Sequence, residues 1–434
     1  MRQRRGFALV ATTLFAAVLV AFVGLAIDVG YLQWQKLRAQ TAADAAANGA
    51  VLEVRKASSN TAITSAGQAD ASLNGFTNGA NNTTVTINHP PLSGPQAGNV
   101  NAVEALVART LPTFFMAIVG QMNATVGARA VSMLGGGAGG GCVYSLNPNV
   151  PRAFQIAGGN STYLACGVLV SSSSSTAFHM EGSSKLYLKN NAAVSVFGGV
   201  DLTGQTRILN FTTGQNVTAT KPSSPPADPL SAVAAPSAGG MTVRGNSHTY
   251  YDMNAKPSGN TIQPGVYCGG LQIGSTGGAT FTMAPGVYVM AGGGFQMGSQ
   301  GKVDATGVTI YNTSGPNSGV AGCNAAFAPF NLDGQANIHI SAPTSGPLEG
   351  IAFFQDRNIT NATANQFVGG SSSLINGAIY LLHSPLVFSG NNSVGGYLIL
   401  VADTITINGD STVNNDYSSL QDGSPIKSNA VLAE

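Results

Sequence analysis

Residues 7–27 read Phe7-Ala-Leu-Val-Ala-Thr-Thr-Leu-Phe-Ala-Ala-Val-Leu-Val-Ala-Phe-Val-Gly-Leu-Ala-Ile27 and contain no charged side chain. A helix of this length measures about 31 Å, enough to cross the apolar core of a bilayer. We therefore expect a membrane span. Three arginines precede it, namely Arg2, Arg4 and Arg5, and Asp28 is the first charge after it. The positive-inside rule predicts a cytoplasmic N-terminus, with everything from Asp28 onward outside the cytoplasm.

A cleaved signal peptide is the alternative to an uncleaved span. Its apolar region would be roughly 7–15 residues long and would end in a small-residue cleavage pattern, whereas this run is longer. The residues that follow are helix formers, and Tyr31 and Trp34 lie where an interfacial aromatic belt is expected. Because no proline interrupts the segment, we expect one nearly continuous helix from Phe7 to about Lys56.

Three motifs in this region carry a family resemblance: Arg4-Arg5-Gly6-Phe7, Gly24-Leu-Ala-Ile-Asp-Val-Gly30 and Leu37-Arg-Ala-Gln-Thr-Ala-Ala-Asp-Ala-Ala-Ala47. Together they resemble the N-terminal domain of TadG-like proteins of the Flp/Tad (tight adherence) pilus-assembly system. The resemblance implies a pilin-like stalk, a location in the bacterial inner membrane, and other pilus-assembly or pilin-like proteins as partners. One departure is Ala11, the fifth residue from Phe7, where processed pilins carry glutamate, so prepilin-type cleavage at Gly6 is not expected.

The composition limits the possible partners and indicates a mainly β chain. Only 9% of the 434 residues are charged and the formal net charge is +1, so we expect no nucleic-acid partner. The 56 glycines accompany many Ser, Thr, Asn, Val and Ile, a mixture typical of short strands joined by tight turns. With 44% hydrophobic residues the chain is not disordered, and its length predicts two or more folded units.

Residues 28–134 are predicted to form a pilin-like extended helix and a small α/β unit. The expected elements after the helix are a strand at Thr83–Asn88, a turn at His89-Pro90-Pro91, a packed helix at 111–122 and a strand at 124–131. The apolar run 114–120 is much shorter than a second span, which is why we interpret it as a packed helix. Residues 135–141 are nearly all glycine and predict a flexible hinge.

Residues 142–415 contain an internal repeat. Residues 153–164 recur 24 residues later as 177–188, Pro264-Gly-Val-Tyr267 recurs as Pro285-Gly-Val-Tyr288, and Gly270-Leu-Gln-Ile-Gly274 recurs as Gly294-Phe-Gln-Met-Gly298. Repeats of this length with short strands predict a right-handed parallel β-helix, in which each repeat stacks on the preceding one. A β-sandwich is the alternative. We expect the Pro-rich segment 221–236 to be an excursion or linker and 416–434 to be a polar tail.

The four cysteines, Cys142, Cys166, Cys268 and Cys323, all follow the apolar segment and form no CxxC motif, so disulfides are expected rather than a metal site. Four thiols allow three connectivities. Cys142 and Cys166 are separated by the repeat length, which places them on adjacent coils about 4.8 Å apart, within disulfide reach. We therefore expect Cys142–Cys166, and Cys268–Cys323 by exclusion.

A carbohydrate enzyme is the main rival class, because parallel β-helices often bind or cleave polysaccharide. The residues that would carry such chemistry are Asp333, Glu349, Asp356 and Arg357, with His339 and His383 as acid or base. The body contains no Asp-Asp pair, no Gly-His-Gly and no Arg-x-Lys of the pectin-degrading hydrolases. We interpret Asp356 and Arg357 as a corner and all five histidines as surface or corner residues, and we expect no catalytic site and no cofactor.

The sequence therefore predicts a structural component of a Flp/Tad-type pilus or adhesion system, exposing its β-rich body to the periplasm or at the cell surface. The alternative is a membrane-tethered glycan-binding or glycan-cleaving β-helix, with a surface glycan as ligand. A stripe of exposed aromatic side chains would favour glycan binding.

Overall fold

The structure is a computed structural model that describes residues 3–55, 58–100, 102–134, 141–190, 192–245, 251–252, 260–274, 279–332, 334–368, 373–389, 396–421, 423–426 and 430–433. The chain divides into two compact units. The N-terminal unit comprises Met1–Gly135 with Asn429–Glu434, and the C-terminal unit comprises Gly136–Ser428. The predicted mainly β composition, with an apolar N-terminal helix and parallel sheets, is confirmed.

The N-terminal unit begins with helix α1, Gln3–Arg55, which runs through 28–30 without a break. The prediction of one continuous helix is therefore confirmed. By length and composition α1 is able to cross a membrane. Helix α2, Asn60–Leu73, follows, and its first turn is capped by the Ser59 hydroxyl, which accepts a hydrogen bond from the Ala62 N–H at 3.3 Å.

The second half of α1 packs on an antiparallel sheet. The sheet contains β1 (Thr83–Asn88), β2 (Ala102–Pro112), β3 (Asn123–Leu134) and β32 (Ala430–Leu432), in that order. The facing side chains of α1 are fully buried alanines: Ala39, Ala42, Ala43, Ala46 and Ala47. Small side chains let the helix backbone approach the sheet closely, so the alanine-rich segment is explained by packing.

Two predicted strands of this unit are confirmed, at Thr83–Asn88 and at 124–131 within β3. The helix predicted at 111–122 is wrong. Strands β2 and β3 pair as far as Pro112 opposite Asn123, so the chain must reverse direction within 113–122, where only Met116–Val119 forms a 3-10 helix. The tail is also not entirely a polar extension, because β32 pairs with β3.

The C-terminal unit is built from parallel strands, and within its described residues two ladders contain ten strands each. The first ladder, in stacking order, is β10 (Val194–Val196), β7 (Gly167–Val170), β4 (Gly141–Ser145), β29 (Leu398–Ala402), β27 (Leu374–Leu381), β25 (Ile351–Gln355), β22 (Val308–Thr313), β19 (Gly286–Ala291), β16 (Gly265–Cys268) and β13 (Val243–Arg244). The second ladder is β11 (Val200–Leu202), β8 (Phe178–Met180), β5 (Phe154–Ala157), β30 (Ile405–Asn408), β28 (Leu386–Ser389), β26 (Asn365–Val368), β23 (Asn331–Leu332), β20 (Phe295–Met297), β17 (Leu271–Ile273) and β14 (Tyr251–Asp252).

Two shorter ladders also belong to the unit. One contains β12 (Arg207–Asn210), β9 (Lys185–Leu188), β6 (Ser161–Leu164) and β31 (Ser411–Val413). The other contains β15 (Thr261–Ile262), β18 (Thr280–Met283), β21 (Lys302–Thr306) and β24 (Asn337–Ser341), and it continues onto β27. A 3-10 helix, Pro316–Ser318, follows β22.

The stacking order differs from the sequence order. Strand β4 pairs with β7 on one side and with β29 on the other, so the start of the unit lies beside its end. The chain builds outward from β4 to β10, reaches the far end at β13, and then returns strand by strand to β29. The expectation that each repeat stacks on the preceding one is correct within each of these two runs and wrong between them.

The Pro-rich segment 221–236 connects the two ends of the stack and is anchored along it. The Asp228 carboxylate accepts a hydrogen bond from the Tyr380 hydroxyl at 2.7 Å, and that hydroxyl accepts one from Arg357 Nε at 2.7 Å. The other arm of Arg357 donates to the carbonyls of Leu230 and Val233. Burial, together with the Asp228 carboxylate, raises the pKa of Tyr380, so the hydroxyl remains a donor. Arg357 therefore fixes the connecting segment to the sheet.

The repeat register agrees with the sequence in the first run. Phe154 lies opposite Phe178, 24 residues later, and their rings stack at 5.1 Å between centroids. In the Pro-Gly-Val-Tyr pair the strands are shifted, because Gly265 lies opposite Tyr288. A shift of two residues keeps every side chain on its original face, since the side-chain period of a strand is two.

Both predicted disulfides are present. Cys142 bonds to Cys166 with 5.6 Å between the Cα atoms, and Cys268 bonds to Cys323 with 5.2 Å. The first joins the start of the unit to the adjacent β7 turn. The second joins the end of β16 to the segment that follows β22, so each disulfide ties strand ends to a neighbouring part of the stack.

Candidate functional site at Asp28

Asp28 is the first charged residue after the apolar run of α1, and its side chain is inaccessible to solvent. Its carboxylate accepts three backbone hydrogen bonds, from the N–H groups of Phe114 at 3.0 Å, Phe115 at 2.8 Å and Met116 at 2.6 Å. All three donors belong to residues 113–122, the β2–β3 loop. One carboxylate therefore ties this loop to α1 across 86 residues of sequence.

The helical turn of the loop takes this acceptor because its own N-cap residue supplies none. The 3-10 helix Met116–Val119 is preceded by Phe115, which makes no side-chain cap. The first N–H groups of a helix have no partner within the helix and must find an acceptor elsewhere. A carboxylate is a strong acceptor for backbone N–H groups, so Asp28 supplies from α1 the cap that the loop cannot provide.

The loop also packs against α1 on the N-terminal side of Asp28. The Phe115 ring lies on Gly24, where an added Cβ would come within 2.5 Å of the ring. Only glycine fits this contact. On the other side of Asp28, Phe114 makes an edge contact with Tyr31 at 5.5 Å between ring centroids. Aromatic residues therefore hold the loop along the helix on both sides of the carboxylate.

The loop and the apolar half of α1 expose large hydrophobic side chains. Ile118 is 82% exposed and Val119 is 81% exposed, and on α1 Phe22 is 67% exposed. Between loop and helix lies a cavity of about 470 Å³, whose walls include Val18, Phe22, Leu25, Phe115, Ile118 and Val119. Every residue that lines this cavity has an apolar side chain.

The predicted interfacial residues lie next to this site. Trp34 is half-exposed, and the Arg38 guanidinium lies 5.1 Å from its ring centroid. The Tyr31 hydroxyl accepts a hydrogen bond from Gln35 Nε2 at 3.1 Å. Arg2 lies outside the described residues, and Arg4 and Arg5 lie in α1 with side chains outside the described set.

A second buried carboxylate, Glu104, holds the long β1–β2 connection of the same unit. It accepts hydrogen bonds from Arg129 Nε, Asn88 Nδ2, the Ser93 hydroxyl and the Leu92 N–H, at 2.7 to 3.3 Å. Burial opposes ionisation, but these four donors outweigh it and lower the pKa of Glu104 to about 2. Glu104 is therefore a charged anchor inside the N-terminal unit.

Three of the residues considered for carbohydrate chemistry, Asp356, Arg357 and His339, have structural partners. Asp356 is buried and accepts hydrogen bonds from the Thr313 hydroxyl at 2.7 Å and the Asn358 N–H at 2.9 Å. Arg357 binds the connecting segment as described above. Glu349 is buried, His383 is exposed, His339 contacts Asp304 at 3.0 Å, and Asp333 lies outside the described residues.

His179 was predicted to be a surface or corner residue, and this prediction is wrong. Its side chain is 2% exposed, with Nδ1 2.8 Å from Asp201 Oδ2 and Nε2 3.3 Å from Glu181 Oε2. Strand pairing places His179 directly opposite Asp201, so the buried ring finds partners for both nitrogens. Within the part of the chain that the structure describes, no group of three or more His, Cys, Asp and Glu could hold a metal ion.

Sequence reasoning identified Asp28 as a charge at the end of the span and missed its partner. The apolar run 114–120 was visible, but it was interpreted as a packed helix. A stronger signal was the combination of that run with phenylalanine, which cannot cap a helix, at both positions before the helical turn.

A family model described as "Putative Flp pilus-assembly TadE/G-like" matches residues 6–52. The N-terminal segment is similar to TadE/G-like pilus-assembly proteins. The match includes the apolar half of α1, Asp28 and the alanine-rich half that packs on the sheet, so the resemblance to TadG-like proteins is confirmed over these residues. None of the curated proteins matches the chain, and neither does any solved structure.

Proposed function

We propose that this chain is a membrane-anchored structural component of a Flp/Tad-type pilus or adhesion system. The main support for this proposal is the TadE/G-like match to residues 6–52 of α1. The first half of this helix exposes apolar side chains, and its second half packs on a sheet. A long helix that leaves a membrane and then packs on an antiparallel sheet is the arrangement expected of a pilin-like stalk. The role is structural rather than catalytic, and no cofactor is needed.

In this proposal α1 crosses the bacterial inner membrane through residues 7–27, and everything from Asp28 onward lies in the periplasm or at the cell surface. The arginines before the apolar run support this orientation. The two disulfides also support it, because disulfides persist in oxidising compartments and are rare in the cytosol.

We further propose that the C-terminal unit is a right-handed parallel β-helix. The strands of the two ten-strand ladders follow one another in the same order along the stack. This is expected when each repeat forms one coil and contributes one strand to each ladder. Ten strands at about 4.8 Å spacing would give a stack roughly 43 Å long. Such a rod would present an extended surface to other subunits or to a host.

The direct test is a gene deletion with complementation, in which surface pili are counted by electron microscopy and adhesion is measured. Loss of pili or adhesion in the deletion strain, and recovery with the wild-type gene, is the expected result. Complementation with a chain that lacks residues 136–428 shows whether the N-terminal unit alone restores pili and adhesion or whether the C-terminal unit is also required. Unchanged piliation and adhesion in a verified deletion would contradict the proposal.

The second candidate function is glycan binding, and an aromatic stripe favours it. Tyr163 and Tyr187 stack at 4.9 Å between centroids, and half-exposed Phe211 meets both edge-on. Lys189 lies over the Phe211 ring at 5.0 Å. Because the two tyrosines cover each other's faces, a sugar would meet mainly their edges and the Phe211 ring.

A glycan array probed with the full chain in detergent, together with a reducing-sugar assay, tests this candidate. Glycan binding would be supported by a signal that Phe211→Ala removes and Leu202→Ala keeps, since Leu202 is an exposed apolar residue of similar accessibility. Release of reducing sugar would indicate cleavage. If no glycan on the array binds, glycan binding is rejected and only the structural role remains.

A further inference from the structure

We propose that the β2–β3 loop, residues 113–122, enters the bilayer beside α1, and that a lipid acyl chain fills the cavity between loop and helix. This inference rests on the proposed function, in which α1 spans the membrane. It adds a second membrane contact to the N-terminal unit and assigns an occupant to the cavity.

The depth of the loop follows from its contacts along α1. Phe115 packs on Gly24, and the cavity that the loop borders extends to Val18. Val18 precedes Asp28 by ten residues, which is about 15 Å along a helix. The loop therefore lies beside the apolar half of α1, at a depth where the surrounding medium of a spanning helix is hydrocarbon.

Backbone that is not helical or in a closed sheet survives in hydrocarbon only if its polar groups have partners inside the protein. Asp28 accepts three of the loop's N–H groups. Four more N–H groups donate to carbonyls within the loop: Thr113 to Met122, Ile118 to Phe115, Gly120 to Ala117 and Gln121 to Met116, all at 3.0 or 3.1 Å. Seven of the ten N–H groups of this loop thus have partners inside the protein, and three of these donate to a buried carboxylate at the edge of the span, which favours a loop in the membrane.

The side chains of the loop suit the same medium. Residues 113–122 contain no charge, and Ile118, Val119 and Met122 are each more than two-thirds exposed. In water this would be a costly apolar patch, continuous with the exposed face of the helix. Against acyl chains it has no such cost, and it continues the lipid-facing surface of α1.

The size and the apolar walls of the cavity favour a lipid acyl chain as its occupant. Its volume of about 470 Å³ lies within the range of hydrophobic ligand pockets, and its walls are apolar on both the helix side and the loop side. A cavity at the depth of Val18 and Phe22 opens toward hydrocarbon when α1 spans a bilayer. The flexible, apolar molecules available there are acyl chains.

Fluorescence quenching by brominated lipids tests the proposal, because Trp34 is the only tryptophan of the chain. In a Trp34→Phe background, one tryptophan is placed at the loop tip (Ile118→Trp), at the cavity wall (Phe115→Trp), in the span (Phe15→Trp) or on α2 (Leu73→Trp). Each full-length variant is reconstituted into phosphatidylcholine vesicles with bromine on mid-chain acyl carbons. We expect several-fold stronger quenching for the first three variants than for Leu73→Trp.

The outcomes separate this inference from the anchor itself. Quenching of Phe15→Trp without quenching of Ile118→Trp would overturn the inserted loop while the span stands. Absence of quenching in Phe15→Trp would overturn the span and the inference together. Ile118→Trp shielded from both bromolipid and aqueous acrylamide would indicate a protein partner instead, and quenching of Ile118→Trp but not Phe115→Trp would overturn the lipid-filled cavity.

A second variant checks the role of the carboxylate. Asp28→Ala, made in the Ile118→Trp background, removes the acceptor of three N–H groups, so the loop should leave the hydrocarbon and quenching at Ile118→Trp should fall several-fold. Quenching at Phe15→Trp with the same Asp28 change should stay constant, which controls for loss of the span. Unchanged quenching at both positions would contradict the role given to Asp28.

Discussion

Both units of this chain anchor irregular segments through charged side chains, in the C-terminal unit through Asp228 and Arg357, but only the C-terminal unit adds disulfides. In the N-terminal unit, buried carboxylates accept hydrogen bonds from distant loops: Asp28 holds the β2–β3 loop and Glu104 holds the β1–β2 connection. In the C-terminal unit, disulfides and stacked rings tie neighbouring strands, as at Cys268–Cys323 and Phe154–Phe178. Carboxylate anchors weaken when they are protonated, and disulfides are broken by reduction. We therefore expect acid to destabilise the N-terminal unit and reduction to destabilise the C-terminal unit.

Removal of a disulfide should have the largest effect and should be confined to the C-terminal unit. Cys268→Ser with Cys323→Ser opens a link across 55 residues, and we expect the free energy of unfolding of this unit to fall by about 4 kcal/mol. Hydrogen exchange of β16 and β22 measures the loss, with β2 of the N-terminal unit as internal control. Equal loss of protection in β2 would remove the distinction between the units.

Acidification should affect the N-terminal unit through Glu104. Its pKa is lowered to about 2 in the folded state, so its stabilisation is fully present above the ordinary glutamate pKa near 4.5 and is lost as the pH falls through about 2. We expect a loss of about 2–3 kcal/mol across this window. Glu104→Gln should be less stable at neutral pH and should flatten the pH dependence of exchange in β1 and β2. A wild-type profile with the same slope as that of Glu104→Gln would contradict this role.

Several features of both units could be predicted because they leave periodic or local signals. The apolar run and the proline-free alanine segment predicted α1, the 24-residue repeat predicted the pairing of Phe154 with Phe178, and its length predicted the Cys142–Cys166 disulfide. Each of these depends on residues close in sequence or repeated at a fixed spacing.

The features that were not predicted depend on single contacts between residues far apart in the sequence, which leave no repeating pattern. Asp28 binds a loop 86 residues away, and β4 pairs with β29 more than 250 residues away. A single acceptor or a single strand pairing carries no repeating pattern, so sequence reasoning placed 111–122 in a helix and stacked the repeats in chain order. In both cases tertiary contacts override the local preference.

The smallest change in stability is expected from substitutions of Asp28, which test the carboxylate anchor of the N-terminal unit. Asp28→Asn keeps one acceptor oxygen and the shape of the side chain, whereas Asp28→Ala leaves three N–H groups of the loop unsatisfied. We expect Asp28→Ala to destabilise the N-terminal unit by about 2 kcal/mol and Asp28→Asn by less. Unfolding in detergent micelles, followed by Trp34 fluorescence, measures both. Identical stability of the alanine variant and wild type would show that water replaces the carboxylate without cost.

The most direct test of a membrane-anchored chain with its bulk outside the cytoplasm is the activity of alkaline-phosphatase fusions, because this enzyme is active only after export. We predict that a fusion after Lys56 is active and that a fusion after Arg5 is inactive. The reverse pattern would contradict the orientation, and with it both the exported β unit and the lipid-facing loop.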